Sequence, residues 1–140
     1  MDKENVITDL DLTNKDQVFD FLSKKAKELN IASDSEKIKN DLLEREKIMS
    51  TALVEPLAIP HAKSSYVNKN TIIFLRLKQK IDWEGVDVKI VIGIFSKSEG
   101  GEHIETLANL SRKLVDKEFI KFLETASKDE IYEKLKDIGE

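Results

Sequence analysis

The sequence predicts an α/β layered domain, and three observations carry that expectation. Apolar residues recur at helical spacing toward both ends of the chain, whereas its middle changes to short β-branched runs. Two of those runs, residues 71–77 (TIIFLRL) and 88–95 (VKIVIGIF), have the composition of strands. The length of 140 residues suits one hydrophobic core, since single domains commonly hold about 100–150 residues. No repeat, low-complexity tract or Pro/Gly-rich linker divides the chain, so residues 1–140 read as a single domain.

The elements follow in order. Thr13 or Asn14 can cap a first helix that buries Val18, Phe21, Leu22, Ala26 and Leu29. Ser33 and Glu36 form a capping-box pattern for a second helix, with Ile38, Leu42 and Leu43 on its apolar side. The segments Met49–Leu53 and Leu57–Ile59 read as short extended pieces, separated where Pro56 interrupts any ladder. Thr71–Leu77 is a strand, and the nearly continuous apolar run Val88–Phe95 predicts a strand buried on both faces. Between them Ile81–Asp87 (IDWEGVD) carries the only Trp and a Gly and reads as a loop or turn. A third helix is expected over Glu102–Val115, burying Ile104, Leu107, Ala108, Ser111 and Leu114. Phe119, Phe122 and Leu123 belong to a further short helix. Ser127 and Glu130 form a second capping box, opening a terminal helix that buries Ile131 and Leu135.

Composition excludes several functions. With no Cys, there can be no disulfide, thiolate metal site or Cys nucleophile. A net charge of −4 and few aromatics argue against a nucleic-acid or anionic-membrane surface. The acidic N-terminus lacks the layout of a signal peptide, and the longest strongly apolar run, Ile90–Phe95, is far below the roughly 18 residues of a membrane span. A soluble, cytoplasmic protein is expected. No phosphate-binding Gly-rich loop, dinucleotide fingerprint, nucleophile elbow or metal-ligand pair at helical spacing occurs, so no cofactor and no metal is implied.

Two histidines remain. His61 follows Pro60 in Ala58-Ile59-Pro60-His61-Ala62-Lys63-Ser64. Proline sets its own φ and pushes Ile59 toward an extended conformation. The expected picture is a strand that runs apolar through Ile59 and stops, presenting the imidazole at its end, with Lys63 and Ser64 near enough to meet an anion. Spacing alone favours an ordinary loop histidine over this reading. His103 follows Gly100-Gly101-Glu102 at a predicted helix start, near unpaired backbone N–H groups. By itself it reads as an exposed polar residue. Arg45, Ser50, Thr51 and Trp83 each have a structural explanation as well: a surface ion pair, local backbone bonding and a buried anchor.

Together these pieces form a pattern. Leu43-Glu44-Arg45-Glu46, Ser50-Thr51, Ala58-Ile59-Pro60-His61-Ala62-Lys63, Ile81-Asp82-Trp83, Glu102-His103-Ile104 and Leu107-Ala108-Asn109-Leu110-Ser111 occur in an order that resembles the enzyme IIA domains of the bacterial phosphoenolpyruvate-dependent sugar phosphotransferase system, of the fructose/mannitol type (IIA type 2). The similarity covers nearly the whole chain. One departure is Val54-Glu55-Pro56, where many such domains are glycine-rich.

The resemblance implies a mixed β-sheet with helices on both sides. It implies that His61 accepts a phosphoryl group from phospho-HPr and passes it to a cysteine of a IIB domain, that His103 assists, and that Arg45 lines the same site. Association with a membrane IIC component would then be indirect. Such a chain would serve uptake of a sugar of the fructose, mannitol or galactitol kind. The alternative is a regulatory, nitrogen-type IIA protein, whose phosphorylation state controls partner proteins without moving sugar. The residue types suit phosphoryl transfer: an unperturbed histidine is largely neutral near pH 7, and Arg brings a permanent cation with a planar fork that fits phosphate. Since the chain has no Cys, the acceptor would lie on a separate chain or a lost fusion partner.

Overall fold

The structure, a computed structural model, describes residues 1–98 and 102–137, and the side chains of residues 102–107 lie outside that description. After a short 3-10 turn (Lys3–Asn5) come β1 (Val6–Leu10), α1 (Lys15–Glu28), α2 (Ser35–Ile48), β2 (Ala52–Val54), β3 (Leu57–Ala58), β4 (His61–Ser64), β5 (Thr71–Trp83), β6 (Val86–Lys97), α3 (Glu102–Leu114), α4 (Lys117–Thr125) and α5 (Lys128–Leu135).

The strands form one mixed sheet in the order β1-β5-β6-β3-β2, with β4 also paired to β6. β5 and β6 are antiparallel, while β1 on β5 and both β3 and β4 on β6 are parallel. Strand alternation divides the core into two layers. Ile73, Leu75, Leu77, Val91 and Phe95 face α1 and α2, where they meet Val18, Phe19, Leu22, Ile38 and Leu42. Ile72, Phe74, Ile90, Ile92 and Ile94 face the opposite layer, with Leu110, Leu114, Leu123, Ile131 and Leu135 of α3–α5. The sheet is mixed and flanked by helices on both sides, as expected, and β6 is buried on both faces as its continuous apolar run predicts.

Several elements differ from the sequence reading. β1 was not expected. Its short run breaks register at a bulge where Asp9 takes a positive φ, and its pairing depends on the distant β5. Asp34, one residue after the expected Ser33, caps α2 by accepting from the Lys37 N–H, whereas Ser33 Oγ donates to the Tyr66 carbonyl. Residues 81–87 are not a loop. β5 runs to Trp83 and β6 starts at Val86, joined by Glu84 and Gly85, both at positive φ (52° and 93°), as a twisted two-residue hairpin requires. In α1, Phe19 is fully buried and Phe21 and Leu29 only partly so. In α3, Leu110 and Leu114 enter the core while Ala108 and Ser111 are exposed; the side chains of Ile104 and Leu107 lie outside the described residues. Asn14 caps α1, and the Ser127–Glu130 box caps α5 as predicted.

Arg76, on β5, ties the sheet to the C-terminal helices. Its Nη1 donates to the carbonyls of Leu123 (3.0 Å) and Ala126 (2.7 Å), which close α4. Replacing it by Leu removes both charged donors from these carbonyls. Arg76→Leu is expected to lower unfolding free energy by about 1–3 kcal/mol in a urea titration. A stability equal to the parent protein's would show that water satisfies these carbonyls equally well.

Candidate functional site

The strand expected to stop at Ile59 ends at Ala58 and resumes at His61. Leu57 and Ala58 pair with Ile90 and Val91, and His61 pairs with Ile94, so the same offset continues across Pro60. Proline offers no N–H, yet its carbonyl accepts from the Ile94 N–H at 2.9 Å, which keeps the chain aligned on β6. His61 is therefore the first residue of a resumed strand. Along β4 the burial alternates, with Ala62 and Ser64 inward and His61 and Lys63 toward solvent.

Arg45 reaches His61 from the last turn of α2. Its Nε donates to His61 Nε2 at 3.0 Å, and its Nη1 donates to the Met49 carbonyl at 2.8 Å. On the other side of the ring, Nδ1 lies 3.1 Å from the Ile59 carbonyl. These partners assign the protonation state. A guanidinium only donates and a carbonyl only accepts, so Nδ1 carries the hydrogen and Nε2 presents its lone pair. In that tautomer the ring is neutral, and the Nε2 lone pair faces the guanidinium.

Glu46 holds the end of α2 in place. Its carboxylate is buried and accepts from the Thr51 N–H (2.9 Å to Oε2), from Thr51 Oγ1 (2.5 Å to Oε1) and from Trp83 Nε1 (3.3 Å). Trp83 is itself fully buried, with its ring 5.5 Å from that of Phe19. Sequence reasoning passed over Glu46. The available signal was its place in the Ile38, Leu42, Glu46 stripe, where a carboxylate stands at a core position and so requires donors.

The groove beside His61, about 460 Å³, is lined by Asp41, Glu44, Arg45, Lys47, Ile48, Ala62 and Lys63. Ser64 turns away, its buried hydroxyl accepting from the Tyr66 N–H. Thr51 is occupied by Glu46, and Ser50 Oγ accepts from the Ala52 N–H. Thus His61, Arg45 and Lys63 come together, and Ser50, Thr51, Ser64 and Trp83 do not join them. His103 falls in the first turn of α3, and its side chain lies outside the described residues. Among the described residues, no group of three or more His, Asp or Glu could hold a metal, and no helix is long and apolar enough to cross a membrane. A larger cavity, about 620 Å³, lies between the β2–β3 hairpin and α3–α4, and no histidine lines it among the described residues.

Residues 1–138 match the family described as phosphoenolpyruvate-dependent sugar phosphotransferase system, EIIA 2. Over 122 residues, 83% of the chain, it is 33% identical to a multiphosphoryl transfer protein of Shigella flexneri, but spans only 14% of that protein. It is 32% identical to the fructose-specific EIIA component of Haloferax volcanii, covering 90% of this chain and 85% of that one. It is also 33% identical to a nitrogen regulatory protein of Bradyrhizobium diazoefficiens, covering 90% and 84%. Among solved structures, the nitrogen regulatory protein IIA-Ntr of Neisseria meningitidis superposes with a TM-score of 0.87 at 24% identity, covering 96% of this chain and 94% of that one. The mannitol IIA of Escherichia coli superposes with a TM-score of 0.81 at 26% identity, covering 96% and 98%, and its complex with phosphorylated IIB has also been solved.

The protonation state can be checked directly. Heteronuclear NMR of the His61 imidazole should show the Nδ1–H tautomer near neutral pH. In Arg45→Ala the share of the Nε2–H tautomer should rise, since that nitrogen loses its donor. Identical ring spectra in both proteins would mean that Arg45 does not select the tautomer. Glu46→Ala leaves the Thr51 N–H and Trp83 Nε1 without acceptors, and a destabilisation of about 2–4 kcal/mol is expected by denaturant titration.

Proposed function

The chain belongs to the EIIA 2 family of the phosphoenolpyruvate-dependent sugar phosphotransferase system, and we propose that it acts there as a phosphocarrier, with His61 holding the phosphoryl group. The observation that carries this reading is the Nε2 lone pair of a neutral imidazole, beside an arginine and an open groove. Nε2 attacks the phosphorus of a phosphohistidine on HPr. The N–P bond of the donor breaks, its electron pair returns to the donor ring nitrogen, and a new bond joins Nε2 to phosphorus. In the second transfer a IIB cysteine thiolate attacks the same phosphorus, and the pair of the breaking bond returns to Nε2.

Such transfers ask the protein chiefly for positioning and for charge on the equatorial oxygens. The Ile59 carbonyl, by holding Nδ1–H, orients the ring and supports the positive charge it gains. As the Nε2 lone pair becomes a bond to phosphorus, Arg45 Nε–H loses its acceptor and turns to a phosphoryl oxygen. Its second bond, to the Met49 carbonyl, keeps the guanidinium nearby. His103 is proposed to assist from the first turn of α3. Exposed Ile48 at the groove, with exposed Met49 next to it in the chain, supplies apolar surface for a docking protein.

The IIB acceptor is supported by family membership and by the IIB complex of the mannitol relative. The sugar class is supported by the fructose-specific relative; cytoplasmic work and an indirect association with a membrane IIC component are part of the same proposal. A second reading, regulation of protein partners by phosphorylation state, is supported by the nitrogen regulatory relative.

Incubation with phosphoenolpyruvate, enzyme I and HPr, followed by intact-mass measurement, should show one acid-labile phosphoryl group. His61→Ala should take none, and normal labelling of that variant would overturn the assignment. Arg45→Ala should slow transfer by about a hundredfold, the usual loss for a preorganised charge-stabilising donor. His103→Ala should keep its label and pass it on more slowly; equal rates in both directions would remove His103 from the reaction. Discharge to one member of a panel of IIB domains selects transport, and discharge to none selects regulation.

A further inference from the structure

We propose that Lys63 is a second phosphoryl-binding cation of this site, an inference that rests on the phosphocarrier reading above. Lys63 stands two residues after His61 in β4, so strand alternation returns its side chain to the face that carries the imidazole. Both side chains line the same groove as Arg45. The three cations there differ in what they already hold. Arg45 is committed to His61 Nε2 and to the Met49 carbonyl, and Lys47 pairs with Glu44 at 3.0 Å. Lys63 is exposed and makes no hydrogen bond or ion pair among the described residues.

The charge balance of the groove gives that lysine work. Asp41, one turn before Arg45 on α2, lines the groove, and its Oδ2 is buried without a hydrogen-bond partner. A phosphoryl group on Nε2 adds close to two negative charges beside this carboxylate. Arg45 alone supplies one positive charge, and like charges at close range in a partly desolvated groove repel. The four-carbon stem of Lys63 lets its ammonium move toward the equatorial oxygens, where it offers three rotatable donors. No covalent bond forms or breaks at Lys63, and its proton stays on Nζ.

The test compares the equilibrium of phosphoryl exchange between HPr and this protein for the parent chain, Lys63→Gln, Lys63→Met and Lys63→Arg. An equilibrium position, unlike a rate, does not depend on how tightly the two proteins dock. Both uncharged variants should take one label on His61, with the equilibrium displaced toward phospho-HPr by about three- to tenfold, the range for a partly exposed charged donor. Lys63→Arg should return it to within about twofold of the parent, because Arg carries the same charge on a comparable stem. An equilibrium unchanged in Lys63→Gln and Lys63→Met would overturn the role of Lys63 and leave the phosphocarrier reading standing. A Lys63→Arg variant displaced as far as Lys63→Gln would overturn it too, since charge would then not be the cause. A parent protein that takes no label would overturn the phosphocarrier reading, and this inference with it. Matching thermal melts confirm that every variant compared is folded, as expected for an exposed side chain.

Discussion

The arrangement depends on β6 and the constant register it imposes on the segment that carries His61. β3 and β4 lie along β6 with one offset, although Pro60 lacks the N–H that an ordinary strand residue would provide. The bond from Ile94 N–H to the Pro60 carbonyl preserves that offset. Had the register slipped by one residue, His61 would exchange faces with Ala62 and point into the layer of α1 and α2. Because it does not slip, Ala58 and Ala62 pack beneath α1 and α2, while Leu57 and His61 take the other side, with Ile90 and Ile94. A fully paired, doubly buried strand thus fixes a histidine at the margin of the sheet.

Arg45 comes from the opposite layer and must be placed as firmly. The last turn of a helix frays readily, and Met49 beyond it is already extended. The Glu46 carboxylate opposes fraying by gripping Thr51 just before β2 and Trp83 at the end of β5. Burying a carboxylate is unfavourable unless its oxygens are hydrogen-bonded, and here three donors do this. Glu46 and Arg45 are adjacent, so one helical turn sends a carboxylate into the core and a guanidinium to the imidazole. A hydrophobic residue at Glu46 could fill the same volume but would not fasten the chain on both sides of the turn.

What could be read in the sequence was local or strongly periodic. The Ser127–Glu130 box, the Asn14 cap and the continuous apolar run of β6 follow from neighbouring residues alone, and each has its expected counterpart in the fold. β1 was hidden because its support is β5, more than sixty residues away. Residues 81–87 looked like a loop because Trp, Gly and three acids resemble turn composition, whereas only Glu84 and Gly85 turn and Trp83 is held by Phe19 and Glu46. At the site, motif order singled out His61 and Arg45. It could not supply the tautomer, because the Ile59 carbonyl becomes its partner only once Pro60 has been laid along β6.

The same geometry bears on why a phosphoryl group here could be transient. An arginine with no prior partner would bind a phosphoryl oxygen at nearly its full strength and deepen the energy well of the loaded state. Arg45 instead begins from a bond to the Nε2 lone pair. In the proposed carrier, loading would exchange that bond for another, so the loaded form would gain only the difference between them. The buried, unpartnered Oδ2 of Asp41 in the same groove raises the energy of any added anion further. In the proposed phosphocarrier both effects would hold down the stability of an N–P bond at His61, as a carrier requires if the group it accepts is to remain available to the next nucleophile.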